Sequence, residues 1–185
     1  EILSKLFCSF DVISESMGVY KVMTIGDAYI AVTGMVDEKE GESSTSGGRT
    51  PAARKRQAQA VALTNFSLVM LNEIAKVAPP NERCAPLNMR IGLHVGRVVA
   101  GVIGTKKLRY DIWGTDVLTA VKMESNGIPG EVCVSDTMRK YLEGPFQFEK
   151  HKNVELTGFN KDGSKKTIDS YKLTTKQQAR IDGSK

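Results

Sequence analysis

The chain has 185 residues, 41% hydrophobic and 25% charged, with a net charge of +5. That length carries one domain with a sizeable core, and the composition excludes a mainly disordered or collagen-like polymer. No run reaches the ~20 apolar residues of a membrane span, and the first residues lack the pattern of a secretory leader.

The basic residues fall in short groups, Arg54-Lys55-Arg56, Lys106-Lys107 with Arg109, and Lys161 with Lys165-Lys166. No aromatic interleaving or zinc-finger spacing accompanies them, so nucleic acid is not the expected partner. Cys8, Cys84 and Cys133 are odd in number and far apart. They make neither a disulfide framework nor a C-x-x-C pair, which points to a reducing, cytosolic setting. The opening at Glu1, already inside a helix-like pattern, reads as a piece of something longer.

Ile2, Leu3, Leu6, Phe7, Phe10 and Ile13 recur at three- and four-residue steps, which predicts a helix burying one stripe and ending at Gly18. Two β-prone runs, 19–25 and 28–33, flank Gly26-Asp27, and a Gly-first pair suits a type II′ hairpin with Asp27 at its tip. Residues 37–51 read as a polar loop, and 52–78 as the longest helix, carrying Val61, Phe66, Leu68, Leu71 and Ala75 and stopped by Pro79-Pro80. Next comes an alternation that puts Met89, Ile91, Leu93 and Val95 on a core face. Asn88, Arg90, Gly92 and His94 share the other, which is expected to be open for chemistry.

Gly96-Arg97 predicts a tight turn into a returning strand at 98–103, followed by a strand at 108–113. A helix capped by Thr115 or Asp116 should run to Asn126, and Ser135-Asp136 should cap another that ends near Leu142. Short strands are expected at 131–134, 146–150, 154–157 and 168–173, with a turn at 160–163 and a polar tail after Thr174. Hairpins alternating with helices predict an α+β sandwich with helices on a mainly antiparallel sheet.

Three segments carry a more specific signal: Lys21-Val-Met-Thr-Ile-Gly-Asp-Ala-Tyr29, the run from Asn88-Met-Arg-Ile-Gly-Leu-His94 to Gly104, and Tyr110-Asp-Ile-Trp-Gly-Thr-Asp-Val117 continuing to Met123-Glu-Ser125. In that order and spacing they resemble the class III adenylyl/guanylyl cyclase catalytic domain over roughly residues 1–173. The resemblance implies a ferredoxin-like palm fold, with the first strand and its metal-binding Asp lying upstream of Glu1. It implies conversion of ATP or GTP to a 3′,5′-cyclic nucleotide and pyrophosphate, with two Mg²⁺ or Mn²⁺ ions as cofactors. The active unit is then a head-to-tail pair with a complementary cyclase domain, and any membrane attachment lies in other parts of the parent protein.

By the same resemblance Asp27 is a metal ligand and Arg90, a forked donor, contacts the terminal phosphates. Gly26 offers backbone amide to phosphate, and Asp111 takes a base-proximal position common in adenylyl cyclases. Where the family carries an Asn and, four residues later, an Arg, this chain has Leu118 and Lys122. Leu has no polar group, and Lys is a point charge that replaces the fork only in part. Met23 stands where base-reading halves have Lys or Glu, and Thr157 aligns near a family Lys. The pattern therefore reads as the metal-bearing half of a two-domain cyclase, the alternative being an inactive pseudocyclase that dimerises and regulates. His94 and Trp113 are read as structural, Trp113 at the core or an interface.

Overall fold

The computed structural model describes residues 2–35, 51–79, 81, 83–156 and 166–174. In chain order the elements are α1 (Ile2–Ser16), β1 (Tyr20–Ile25), β2 (Ala28–Val32), α2 (Pro51–Ala75), β3 (Ile91–Leu93), β4 (Val99–Ile103), β5 (Arg109–Trp113), α3 (Thr115–Ser125), β6 (Val132–Ser135), α4 (Asp136–Leu142), β7 (Gln147–Leu156) and β8 (Lys166–Thr174). The expected turn at 160–163, the residue Thr157, the tail after Thr174 and most of the expected loop at 37–51 lie outside the described residues. The chain divides into two compact units, Glu1–Asn88 with Val98–Trp113, and Met89–Arg97 with Gly114–Lys185.

In the first unit α1 packs on α2 and on β1, and two antiparallel hairpins, β1–β2 and β4–β5, complete it. Leu6 and Phe10 of α1 are buried, as the periodicity requires, whereas Leu3 is 40% exposed. Tyr29 of β2 is the hub, its ring edge-on to Phe10 and tilted against Phe7 and Phe66 at centroid distances of 5.6–6.3 Å. Its hydroxyl donates to Asp11 Oδ1 at 2.9 Å, and Lys21 of β1 reaches Asp11 Oδ2 at 2.7 Å. Burial, above all, pushes the Tyr29 phenol up to about 12.

Helix α2 opens on Pro51, whose missing N–H is no loss at a helix start. Its buried row is Ala60, Thr64, Ser67, Met70 and Ile74, with Phe66 beside it. The two polar members are tolerated because Thr64 donates to the Ala60 carbonyl at 2.8 Å and Ser67 to the Leu63 carbonyl at 2.9 Å.

The second unit is a four-stranded sheet in the order β3-β6-β8-β7, with α3 and α4 packed on it. β6–β8 and β8–β7 are antiparallel, while β3–β6 is parallel. Met123 of α3 sits on Cys133, Val154 and Leu156, with Ile168 alongside. The two strands expected at 146–150 and 154–157 are one strand, β7, with its register shifted between Lys150 and Lys152 by a bulge.

The structure departs from the sequence expectation at β4 and at the start of α3. Gly96-Arg97 does not fold β4 back onto β3: β4 pairs with β5, and β3 pairs with β6. The Arg97 N–H donates to the Asp116 carboxylate at 2.6 Å, so a side chain takes the bond that a hairpin partner would have made. Asp116, engaged there, does not cap α3, whose N-cap is Gly114 with no side-chain cap. Ser135 does cap α4, accepting the Met138 N–H.

Candidate active site

In the first unit the β1–β2 pairing runs to Ile25↔Ala28, leaving Gly26-Asp27 as a two-residue turn. Gly26 has φ +60° while Asp27 stays at negative φ, the type II′ pattern that only glycine takes without strain at the first position. Asp27 is exposed at that tip. The base of the hairpin is fixed by Lys21 and Tyr29 on Asp11, so the carboxylate is presented from a rigid support.

Asp111, in β5 of the same unit, is only 6% exposed. Its Oδ2 accepts from Arg109 at 2.7 Å and its Oδ1 from the Ile112 N–H at 2.8 Å, so both oxygens are engaged within the chain. Trp113 is 38% exposed on the surface rather than in the core; a Cβ at Gly101 would touch its ring at 3.7 Å.

In the second unit Arg90 precedes β3 and donates from Nε to Glu124 Oε1 of α3 at 2.8 Å, with its side chain 45% exposed. Two residues on, a Cβ at Gly92 would lie 2.1 Å from the Glu124 backbone N and 2.6 Å from the Ala120 carbonyl oxygen. Helix α3 therefore rests on the bare backbone of β3. Two residues further, the His94 ring, with a side chain 6% exposed, lies between Asp116 Oδ1 at 3.2 Å and Ser135 Oγ at 2.7 Å. The face expected to be open is thus closed by α3 at Gly92 and His94, while Asn88 and Arg90, ahead of β3, are exposed.

Lys122, half-buried, and Leu118, 55% exposed, lie one turn apart on α3, with Val121 at 48%. Gly26, Asp27 and Asp111 thus belong to the first unit, and Arg90 and Lys122 to the second. An open groove of about 570 Å³ lies along α1, lined by Ser4, Lys5, Cys8, Ser9, Val12, Ile13 and Glu73, and contains none of these residues.

The Ser135–His94–Asp116 chain was not legible as a group, since its members are 41 and 22 residues apart. Asp116 accepts on both oxygens, so the His94 Nε2 carries the proton and Nδ1 accepts from the Ser135 hydroxyl. Burial, ahead of the opposing pull of Asp116, holds the His94 pKa below its usual value. Ser135 is fully buried and caps a helix, so this order of residues is a structural clamp and not a nucleophile with its base.

Among the described residues no group of three or more His, Cys, Asp or Glu side chains converges on a metal-sized site. Of the residues singled out above, Asp27 is the exposed hard-oxygen donor on a rigid turn. That suits Mg²⁺ or Mn²⁺, because such ions are commonly held by one or two carboxylates, with phosphate and water completing the shell.

Residues 1–175 match the profile of the adenylate and guanylate cyclase catalytic domain. Guanylate cyclase of Toxoplasma gondii is 40% identical over 176 residues, 92% of this chain, and guanylate cyclase alpha of Plasmodium falciparum 41% over 161 residues, 84% of it. The chain spans about 4% of the length of each of these curated relatives. Among solved structures, the guanylate cyclase domain of RhGC from Catenaria anguillulae, in complex with GTP, is 30% identical with a TM-score of 0.71, over 94% of this chain and 81% of that one. The adenylyl cyclase CyaB from P. aeruginosa has the same TM-score at 17% identity, over 96% of this chain and 82% of that one, a likeness of fold alone. On this fold, this motif order and these matches, the chain belongs to the adenylate and guanylate cyclase catalytic domain family.

Proposed function

We propose that residues 1–174 act as one half of a nucleotide cyclase, converting ATP or GTP to a cyclic nucleotide and pyrophosphate at an interface with a complementary cyclase domain, in intracellular signalling. The observation that carries this reading is the split within the chain's own residues. Asp27 and Arg90, the metal and phosphate groups, are exposed on supported positions, while the exposed face of α3 offers Leu118 where a ribose-contacting amide is needed. A partner would supply the base reader, the amide and the arginine.

The reading gains support from apolar surface that a lone domain leaves in water. Val99, Val102 and Leu108 of the β4–β5 hairpin are 67%, 62% and 73% exposed, which fits a face covered in the pair. Among the described residues no helix is long and apolar enough to cross a membrane, so membrane association in this proposal belongs to other parts of the parent.

In the mechanism, Asp27 would hold Mg²⁺ or Mn²⁺, an ion that would supply charge neutralisation for the triphosphate and Lewis acidity for the attacking ribose oxygen. Arg90 leaves Glu124 and grips the terminal phosphates with its planar fork, which orients the chain of phosphates for in-line displacement. The Gly26 amide, at a turn tip, donates to a phosphate oxygen. Lys122 replaces the family arginine only in part, and Asp111 has both oxygens engaged by Arg109 and the Ile112 N–H, so the principal α-phosphate and base contacts fall to the partner.

The test is cyclic-nucleotide production from ATP and from GTP with Mn²⁺, using this domain alone and mixed with the complementary domain. Activity is expected only in the mixture, falling about 100-fold or more in Asp27→Ala, the loss expected when several kcal/mol of charge stabilisation goes. Full activity of the lone domain refutes the division between halves. Silence of a verified, folded pair favours the regulatory pseudocyclase.

A further inference from the structure

β3 and α3 run in opposite directions, and the structure joins them at three levels. Arg90 meets Glu124 at the last turn of the helix, Gly92 meets Ala120 and Glu124, and His94 meets Asp116 at the first turn. Asp116, Ala120 and Glu124 form one i, i+4, i+8 row, so their places along the strand are set together. The first and last contacts are polar, the Arg90–Glu124 pair 45% and 40% exposed and the His94–Asp116 pair 6% and 33%. With Gly92 seating the middle of the helix, the better-shielded His94 end fixes its first turn, and the exposed Arg90–Glu124 pair follows, since an exposed ion pair is too weak to place a helix.

We propose that His94 is a positioning residue: a neutral ring, protonated on Nε2, that fixes the first turn of α3 against the end of β3 and so sets the place from which Arg90 acts. The role assigned to Arg90 rests on the half-cyclase reading; the clamp itself does not.

Every polar atom in the clamp has a defined direction. His94 Nε2–H donates to Asp116 Oδ1, and the Arg97 N–H donates to Asp116 Oδ2. The Ser135 hydroxyl donates to His94 Nδ1 while its oxygen accepts the Met138 N–H. Adding a proton at Nδ1 turns Ser135 from donor to acceptor and leaves its hydroxyl hydrogen without an acceptor at a fully buried site. The charged groups facing the ring are Asp116 from α3, which favours that proton, and Lys166 from β8, which opposes it.

The experiment uses the 185-residue chain with ¹⁵N-labelled histidine and arginine. The chain has only two histidines, so His151→Gln leaves the His94 ring as the single imidazole signal. The expected spectrum has Nε2 protonated and Nδ1 bare. Asp116→Asn keeps the size of the side chain but replaces one acceptor with a donor. It should move the ring proton to Nδ1 and speed exchange of the Arg90 Nε–H about tenfold, as its place against Glu124 loosens.

A ring protonated on Nδ1 in the wild type overturns the proposal, as does an Asp116→Asn chain in which neither the ring nor the Arg90 signal changes. Should Asp116→Asn fail to fold, His94→Gln provides the second reading, with faster Arg90 exchange expected and unchanged exchange contrary. In the paired cyclase assay the KM for the metal–nucleotide should rise about tenfold in Asp116→Asn, the loss of one well-placed charged contact. An inactive wild-type pair counts against the half-cyclase reading alone, because the ring and Arg90 signals decide the clamp without turnover.

Discussion

Gly92→Ala tests the seat of α3 on β3. The added Cβ would lie 2.1 Å from the Glu124 N, 2.6 Å from the Ala120 carbonyl oxygen and 2.7 Å from the Glu124 Cα. All three are backbone atoms of a helix, so no side-chain rotation relieves the overlap. To reach an ordinary contact distance α3 must retreat by about 1 Å or more. A retreat of that size draws Met123, fully buried, away from Cys133, Val154 and Leu156 and stretches the His94–Asp116 and Arg90–Glu124 bonds. Overpacking against an unyielding neighbour costs about 3 kcal/mol, which for a chain of this length lowers Tm by about 6–12 °C. The assay is urea unfolding, with a fall in the midpoint at constant slope. Gly101→Ala is the matched control, since its Cβ would meet only the Trp113 ring at 3.7 Å; it should change stability by no more than about 0.5 kcal/mol. If Gly92→Ala is as mild as Gly101→Ala, α3 does not rest on the strand as described.

Other perturbations read the remaining contacts. Ser135→Ala removes the cap of α4 and the donor to His94 Nδ1 together, and is expected to cost about 2 kcal/mol in denaturant unfolding. Because the folded His94 pKa lies below the unfolded value of 6.5, its contribution is complete above about pH 6.5. As pH falls from there toward the folded value, the unfolded chain takes a proton the folded chain refuses, and stability drops. His94→Gln should flatten that acid-side slope in unfolding midpoints measured from pH 8 to 5. Tyr29→Phe deletes the hydroxyl on Asp11 and should cost about 1 kcal/mol by the same assay.

The parts legible in the sequence were those whose cause is local. The II′ turn needs only a glycine followed by a residue at negative φ, and Gly26-Asp27 states that in two letters. The α4 cap needs only Ser135 three residues before an available N–H. Apolar periodicity located α2 but not its buried row, because Thr64 and Ser67 satisfy their hydroxyls on their own helix and then pack like small apolar groups. The pairing of β3 with β6 escaped because parallel partners are joined across a long stretch of chain, here one that holds a whole hairpin and α3. His94 was read as structural, but its partners are fixed by that crossover and no spacing announces them. The alternation around Arg90 and His94 was real; which face α3 covers depends on Gly92, whose missing side chain reads in a sequence as mere permissiveness.

Helix α3 separates the residues that hold the fold from those that the proposed half-site reading places near a nucleotide. The row that binds it to the strand, Asp116, Ala120 and Glu124, is constrained by a buried histidine, a backbone contact and an ion pair. The positions that would face a nucleotide, Leu118 and Lys122, lie on another side, with Leu118 more than half exposed. Exchanges at exposed helical sites change stability by about 0.5 kcal/mol or less, so replacing an amide by Leu there leaves folding almost untouched. The energetic link between fold and chemistry is therefore loose at residue 118 and tight at residue 116. A stable chain with Leu118 is what such a helix permits, and its stability alone says nothing about whether it turns over substrate unaided.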